Sequence, residues 1–215
     1  MLWCGKDYEN VFFTSDEHYG SERAIELSRR LPFIHNGKFD TELMDATLIK
    51  NHNSVVSDKD LVFHLGDFGN RENVKKLNGD HVLLLGNYEV CEISSSINTD
   101  TYIQSLRDAG FIAPYFGSLT SFVLNQSVTS ELFTHDELKN ISLYMTHKPS
   151  ECIRDDEFNK HKILNLFGHI HEKRKVTRYG LNVGVDGNFF FPYSSKDVEF
   201  YLNAILHHYD DEVFI

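Results

Sequence analysis

The chain has few cysteines, no long apolar run and no surplus of basic residues. Its three cysteines, Cys4, Cys91 and Cys152, are odd in number, widely spaced and without a CxxC pair, which excludes a disulfide framework or a cysteine zinc knuckle. No apolar stretch approaches the roughly 20 residues that cross a bilayer. The first residues, MLWCGKDYENVFF, include acidic side chains that a signal peptide lacks. These absences predict a soluble cytoplasmic protein with reduced thiols and no membrane partner.

Basic residues are fewer than acidic residues, with 21 Lys and Arg against 32 Asp and Glu. The formal net charge is -11 with the histidines neutral, which disfavours long nucleic acids as partners because their backbones require a basic face. One basic cluster exists, Lys173 to Lys175 with Arg178, and we interpret it as a solvated hairpin, with phosphate attraction as the alternative. A phosphate substrate remains compatible with this charge, because bound divalent cations can be the largest local charges in a site.

Internal repeats, linkers and low-complexity segments are absent as well. A chain of 215 residues suits a single domain, predicted here to span 1–215, that buries roughly 70% of its unfolded surface. Strand and helix patterns alternate through the first 90 residues, which predicts an α/β layered architecture. Helices are predicted at 21–31 and 40–51 with Ser21 and Asp40 as N-caps, and a closing strand is predicted at 198–206.

What the chain does have is a series of apolar strands that each end in a side chain able to bind metal. The clearest is the run Leu61 to Leu65, which passes through Gly66 to Asp67. An Asp after a Gly is often only a turn former, but the pattern repeats at five strand exits. Open α/β sheets place their chemistry at the carboxyl edge of the strands. The residues at the exits are Asp16, His18, Asp67, Asn87, His147, His169 and His171.

This set is too large for one ion of four to six coordination, so it predicts two ions that share a bridging carboxylate. A site with two ions about 3.5–4 Å apart suits in-line displacement at phosphorus. We expect two divalent ions with Mn²⁺ favoured, although mixed nitrogen and oxygen ligands also suit Fe, Zn, Ni and Co.

In the order D-x-H, GD, GN, H and GH-x-H, these residues resemble the calcineurin-like metallophosphoesterase family, in its compact bacterial or phage-type branch. The match runs from residue 11 to residue 186. The resemblance implies a four-layer αββα sandwich of two facing mixed β-sheets flanked by helices. It also implies one ion on Asp16, His18, Asp67 and His171, and a second on Asp67, Asn87, His147 and His169. Asp67 would then be the bridging ligand.

The function implied by the resemblance is that of a metal-dependent phosphoric ester hydrolase, a phosphatase or phosphodiesterase. A metal-bridging hydroxide would attack in line, with Asp67, Asn87 and Tyr88 as the catalytic residues. The expected partner is a small phosphoester or nucleotide substrate. The alternatives are a catalytically silent binding or scaffold protein on the same fold, and a nuclease acting on short nucleic-acid ends.

One position departs from the family pattern. GN is usually followed by a His that contacts the phosphate and helps to protonate the leaving oxygen, whereas here Tyr88 takes that place and Glu89 follows. Tyrosine, with an unperturbed pKa of about 10, donates hydrogen bonds but is a poor proton source near pH 7. Four interpretations of this position are open. Tyr88 donates a hydrogen bond to the phosphate, or a loop histidine such as His35 or His52 replaces the missing histidine. Alternatively, the substrate needs little protonation of its leaving group, or Tyr88 is only a packed aromatic near the site. We expect a slight preference for monoesters or activated diesters.

Three further features carry weaker signals. His64 lies inside a predicted strand and is expected to be packed and hydrogen-bonded. His52 ends a predicted helix, where it favours the helix dipole, so a structural role is expected before a site role. Residues 90–140 have the least clear pattern, and if they do more than connect the flanking elements we expect them to shape the substrate entrance.

Overall fold

The structure is a computed structural model that describes residues 2–3, 5–96, 98–112, 120–154 and 162–210. Two mixed β-sheets face each other in it. The four-stranded sheet has the order β13-β3-β6-β7 and the five-stranded sheet the order β11-β12-β10-β9-β8, with strands numbered along the chain. The sheet strands are β3 (Val11–Thr14), β6 (Leu61–His64), β7 (Asp80–Leu83), β8 (Ser121–Leu124), β9 (Ser142–Thr146), β10 (Ile163–Phe167), β11 (Val176–Thr177), β12 (Gly180–Asn182) and β13 (Tyr193–Ser194). Two small hairpins pair β1 (Leu2–Trp3) with β2 (Lys6–Asp7) and β4 (Ile34–His35) with β5 (Lys38–Phe39).

Each sheet contains three parallel strands, namely β3, β6 and β7 in one and β9, β10 and β12 in the other. Strands β3 and β6 are buried along their whole length. Parallel strands with both faces covered are built from nearly continuous apolar runs, which explains why VFFT and LVFH carry no clear alternation.

The main core lies between the two sheets. Phe63 of β6 stacks on Phe13 of β3, with ring centroids 5.7 Å apart, and lies 6.3 Å from the ring of Phe122 in β8 of the opposite sheet. Leu143 and Leu164 extend this cluster from the five-stranded sheet, and both are fully buried. Each large apolar side chain buried in this way contributes about 1.5–3 kcal/mol.

Helices flank both sheets, and the expected αββα sandwich of facing mixed sheets is confirmed. A second core cluster packs the first helices against the outer face of the four-stranded sheet, through side chains such as Met44, Leu83 and Leu106. The helices are α1 (Glu22–Leu27), α2 (Thr41–Val55), α3 (Asn87–Ser96), α4 (Thr99–Ala109), α5 (Gln126–Leu132), α6 (Asp136–Lys139) and α7 (Ser195–His208). Helix α5 contacts β9, and α7 contacts strands of both sheets. No helix among the described residues is long and apolar enough to cross a membrane.

The first predicted helix is shorter than expected. Ser21 caps α1 as predicted, its hydroxyl accepting from the Ala24 N–H at 3.2 Å, but the helix ends at Leu27 and not at residue 31. Arg29 has φ 49°, which turns the chain and directs Arg30 into the interior. The second predicted cap is confirmed, since Asp40 accepts from the Leu43 N–H at 2.9 Å and α2 follows.

The closing strand predicted at 198–206 is wrong, because this segment lies within helix α7. Ser194 and Asp197 form a capping box that starts the helix. Val198, Leu202 and Ile205 are buried at helical spacing, a period that favours a helix over a strand. The strand that does close the four-stranded sheet is β13, antiparallel to β3.

Two histidine predictions are confirmed. His64 is fully buried, with Nδ1 2.7 Å from Glu17 Oε1 and Nε2 3.0 Å from His81 Nδ1. His52 is buried too, with Nε2 3.0 Å from the Asn78 carbonyl oxygen. Of the cysteines, Cys91 is an exposed free thiol and Cys152 a partly buried one, and Cys4 lies outside the described residues.

Candidate metal centre

The carboxyl ends of the parallel strands from both sheets meet at one edge of the sandwich. Backbone hydrogen bonds join the loops there: Asp16 N–H donates to Gly66 O at 3.0 Å, and Gly168 N–H donates to His147 O at 2.9 Å. A third, from Val185 N–H to Ser15 O at 3.0 Å, links the end of β12 to the end of β3 and so joins the two sheets. All seven predicted ligands follow these strands and are brought together here. Their binding of metal stays a prediction.

One group of three side chains consists of Asp16, His18 and His171, whose ligand atoms lie within 4.8 Å of one another. Asp16 Oδ1 lies 3.9 Å from His18 Nε2 and 4.0 Å from His171 Nε2. This oxygen is buried and has no hydrogen-bond partner among the described residues, whereas Oδ2 accepts from the His169 N–H at 2.8 Å. A buried carboxylate oxygen without a partner is costly, so the atom fits a site for a cation.

The imidazoles of this first group are suited to ligation. Burial lowers the pKa of His18 to about 3, outweighing the nearby charge of Asp67, so the ring is neutral. The rings of His18 and His171 stack with centroids 5.1 Å apart. His171 Nδ1 lies 2.8 Å from Asp186 Oδ2, the arrangement in which a carboxylate fixes the ring and leaves Nε2 for an ion.

A second group consists of Asp67, His147 and His169, also within 4.8 Å of one another. His147 Nδ1 lies 2.8 Å from the Leu65 carbonyl oxygen, and donation there leaves Nε2 facing Asn87 Oδ1 at 2.9 Å. Burial by itself lowers the pKa of His147, but hydrogen bonding to Asp67 and the nearby carboxylate charges raise it to about 9. The carboxylates of Asp16 and Asp67 therefore stabilise a positive charge at His147.

Asp67 lies between the two groups. Its Oδ2 is 3.7 Å from His18 Nε2 and 3.4 Å from His147 Nε2, while Oδ1 accepts from the Tyr88 N–H at 3.0 Å. Burial opposes its ionisation, but the hydrogen bond and charge of His147 and the Tyr88 N–H hold the pKa of Asp67 below its ordinary value. Asp67 therefore lies where the predicted bridging ligand was expected, and its bridging of two ions stays a prediction.

The loops that hold these ligands have a strained backbone. Positive φ angles between 52° and 72° occur at Asp16, His18, Asp67, His169 and His171. Residues other than glycine rarely adopt this left-handed region, and each instance costs on the order of 1–3 kcal/mol. Gly66, with φ 98°, allows the close packing of two loops, because a Cβ there would lie 2.5 Å from Gly86 Cα. Strain concentrated on five of seven predicted ligands is typical of a functional site.

Glu89 has a structural role that the sequence comparison with the family pattern did not predict. Its Oε2 accepts from the N–H groups of Asp67 at 2.9 Å and Gly86 at 2.8 Å, and its Oε1 accepts from the Phe68 N–H at 2.9 Å. Burial and the charge of Asp67 raise the pKa of this carboxyl, against the effect of the three N–H donors. Glu89 therefore ties the loop after β6 to the loop after β7.

Glu89→Gln is expected to lower the free energy of unfolding by about 1.5–3 kcal/mol, the range for hydrogen bonds to charged groups. A glutamine has one acceptor oxygen, so at least one backbone N–H would face its NH₂ group. Urea denaturation measures the change. The matched control is Glu92→Gln on the same helix, where an exposed ion pair with Arg71 contributes at most about 1 kcal/mol. Equal losses in the two variants would contradict the role assigned to Glu89.

Arg30 and Asp186 form a buried ion pair behind the first group, and neither was predicted as a site residue. Arg30 Nε and Nη2 donate to the two Asp186 oxygens at 2.8 and 2.9 Å. Arg30 also donates from Nη2 to Asp16 O at 2.6 Å and from Nη1 to Glu17 O at 2.9 Å. The pair therefore holds both the D-x-H loop and the ring of His171. No local signal in the sequence marked this pair, whose two members are 156 residues apart.

Tyr88 lies at the mouth of the site, 38% exposed, with its ring edge-on to His18 at 4.9 Å between centroids. The two histidines considered as its replacement lie elsewhere in the fold. His35 is exposed in the β4–β5 hairpin, and His52 contacts Asn78, His64 and His81, none of them a predicted ligand. Tyr88 therefore borders a predicted ligand, and His52 contacts none among the described residues.

The fold and the site define an α/β sandwich protein with a paired histidine–carboxylate centre. No family model matches the chain. A stretch of 87 residues is 37% identical to an uncharacterized protein of Methanocaldococcus jannaschii, covering 37% of this chain and 46% of the relative. The match thus spans less than half the length of that relative. A crystal structure of a protein of unknown function from Aquifex aeolicus has a similar fold, with a TM-score of 0.58 and 18% sequence identity over 88% of this chain and 97% of that chain.

Proposed function

We propose that this chain is a metal-dependent phosphoric ester hydrolase of the calcineurin-like metallophosphoesterase type. The observation that carries the proposal is the position of Asp67, whose Oδ2 faces His18 at 3.7 Å and His147 at 3.4 Å. A single carboxylate between two clusters of imidazole and carboxylate donors suits two adjacent ions. Phosphoryl displacement is the chemistry that such a pair serves best.

The donor sets fit two divalent ions, with Mn²⁺ favoured. When bound, the ions would polarise the phosphate and activate water for in-line attack. Asp16, His18 and His171 would hold one ion and Asn87, His147 and His169 the other, with Asp67 shared. Tyr88, whose ring is edge-on to His18, can direct its hydroxyl to an oxygen of the substrate.

The folded chain carries energetic costs at this site that a silent scaffold would not require. The orphaned Asp16 Oδ1 and the left-handed ligand residues are costly to the folded chain. Costs of this kind persist where binding or catalysis requires them. Binding through the outer surface of a scaffold does not require a strained, buried set of donors.

Hydrolysis of p-nitrophenyl phosphate and of bis(p-nitrophenyl) phosphate, each with Mn²⁺ and with EDTA, tests the proposal. We expect turnover that EDTA removes and added Mn²⁺ restores, with the monoester preferred. Metal content of the purified protein is measured alongside. An absence of both turnover and bound metal would overturn the proposal in favour of the scaffold.

Tyr88→Phe tests the donor role in the same assay. Loss of the hydroxyl is expected to slow phenyl phosphate, which has a poor leaving group, by about tenfold or more. It should change p-nitrophenyl phosphate, which needs little protonation, far less. An equal effect on the two substrates would contradict a donor role and favour a packing role for Tyr88.

A further inference from the structure

A cavity of about 250 Å³ adjoins the candidate metal centre on the side of its second ligand group. Asn87 and His147, two of the predicted ligands, form part of its wall. The cavity is therefore continuous with the place where a phosphate would react. Pockets for drug-sized ligands measure about 300–1,000 Å³, so this space suits a smaller group.

One wall of the cavity is the apolar side of α3. Val90 and Cys91 lie three and four residues after Asn87 and line the cavity with it, as expected for neighbours on one helix face. Val90 is 40% exposed and Cys91 is an exposed thiol. Apolar walls next to a few polar groups are the usual composition of a small-molecule site.

A cation also borders this cavity. Lys148 directly follows His147 and lines the cavity. No carboxylate forms an ion pair with it in the part of the chain that the structure describes. Glu151 also lines the cavity, but its Oε2 accepts from the Thr146 hydroxyl at 2.8 Å. Among the described residues, the ammonium of Lys148 can therefore meet an anionic group that enters beside His147.

We propose that this cavity holds the organic group of the phosphoester, and that this group is compact and apolar, about the size of one aromatic ring. Lys148 would then lie beside the phosphate oxygens, and Val90 and Cys91 against the ring. The inference rests on the proposed function, whose substrate class it narrows. A large nucleotide conjugate exceeds the volume of this cavity and would extend beyond it.

Alkylation of Cys91 reports occupancy without turnover. The Mn²⁺-loaded protein is treated with N-ethylmaleimide alone, with methylphosphonate, or with phenylphosphonate, and mass spectrometry follows Cys91. We expect phenylphosphonate to slow the modification about tenfold and methylphosphonate to leave it nearly unchanged, because only the phenyl group reaches the thiol. A Cys91→Ser variant identifies modification at the other cysteines. Equal protection by both phosphonates would overturn the proposal.

Filling the cavity gives a second test. Val90→Trp is expected to raise the inhibition constant of phenylphosphonate about tenfold or more, within the range for apolar groups in fitted pockets, and to leave that of methylphosphonate unchanged. The matched control is Val123→Trp on β8, since Val123 is 45% exposed against 40% for Val90 and does not line the cavity. Equal changes for the two inhibitors in Val90→Trp would contradict the assignment.

The outcomes separate the two proposals. Turnover of phosphoesters with no selective protection of Cys91 would remove the cavity assignment and leave the hydrolase intact. Selective protection by phenylphosphonate without turnover would keep the binding site and remove the hydrolase. Absence of both would remove both.

Discussion

Replacing Asp67 with asparagine is expected to abolish the proposed turnover and to weaken the binding of both proposed metal ions without unfolding the chain. Asp67 Oδ2 faces an imidazole of each group, His18 Nε2 at 3.7 Å and His147 Nε2 at 3.4 Å. Asparagine places a neutral amide at this position, so the negative charge that the two proposed ions would share is lost. The affinity for metal should fall by at least about 10–100-fold, which is the loss that follows removal of a residue that only hydrogen-bonds a ligand.

The fold should survive this substitution. The carbonyl oxygen of asparagine can still accept from the Tyr88 N–H, as Asp67 Oδ1 does at 3.0 Å. Calorimetric titration with Mn²⁺ measures the affinity, and circular dichroism measures the thermal transition. Asp58→Asn, at an exposed position, serves as the control for the change of charge. Near-normal activity in Asp67→Asn would disprove the two-ion assignment.

The second large effect is expected from Arg30→Met. Removing the guanidinium leaves the carboxylate of Asp186 without its cation and the carbonyl oxygens of Asp16 and Glu17 without their side-chain donor. Arg30 is only 2% exposed, and breaking a buried pair on one side costs about 3–5 kcal/mol. For a chain of this size each kcal/mol shifts Tm by about 2–4 °C, so a fall of roughly 6–20 °C is expected.

Two further variants give this prediction its controls. Arg23→Met removes an exposed arginine of α1 and should change the free energy of unfolding by no more than about 0.5 kcal/mol. Arg30→Lys keeps the charge but loses the planar fork that contacts Asp186 through two nitrogens, so an intermediate loss is expected. A change below about 1 kcal/mol in Arg30→Met would show that the pair does not stabilise the fold.

Local patterns in the sequence predicted the features that depend on neighbouring residues. The caps at Ser21 and Asp40 are confirmed because a cap involves residues three positions apart. The buried strands before Asp16 and Asp67 are confirmed because continuous apolar runs are the signature of parallel strands. The segment after Ser194 is a helix and not the predicted strand, in line with the helical spacing of its buried residues.

The sequence by itself determined which residues can supply ligands and in what order they follow the strands. Only the tertiary structure decided how those residues are held: Glu89 ties two loops through backbone N–H groups, and Arg30 reaches Asp186 across 156 positions. It also decided that Lys148 and the apolar face of α3 border one cavity. These arrangements depend on how two sheets and a helix pack against each other, and the spacing of residues along the chain carries no information about such distances.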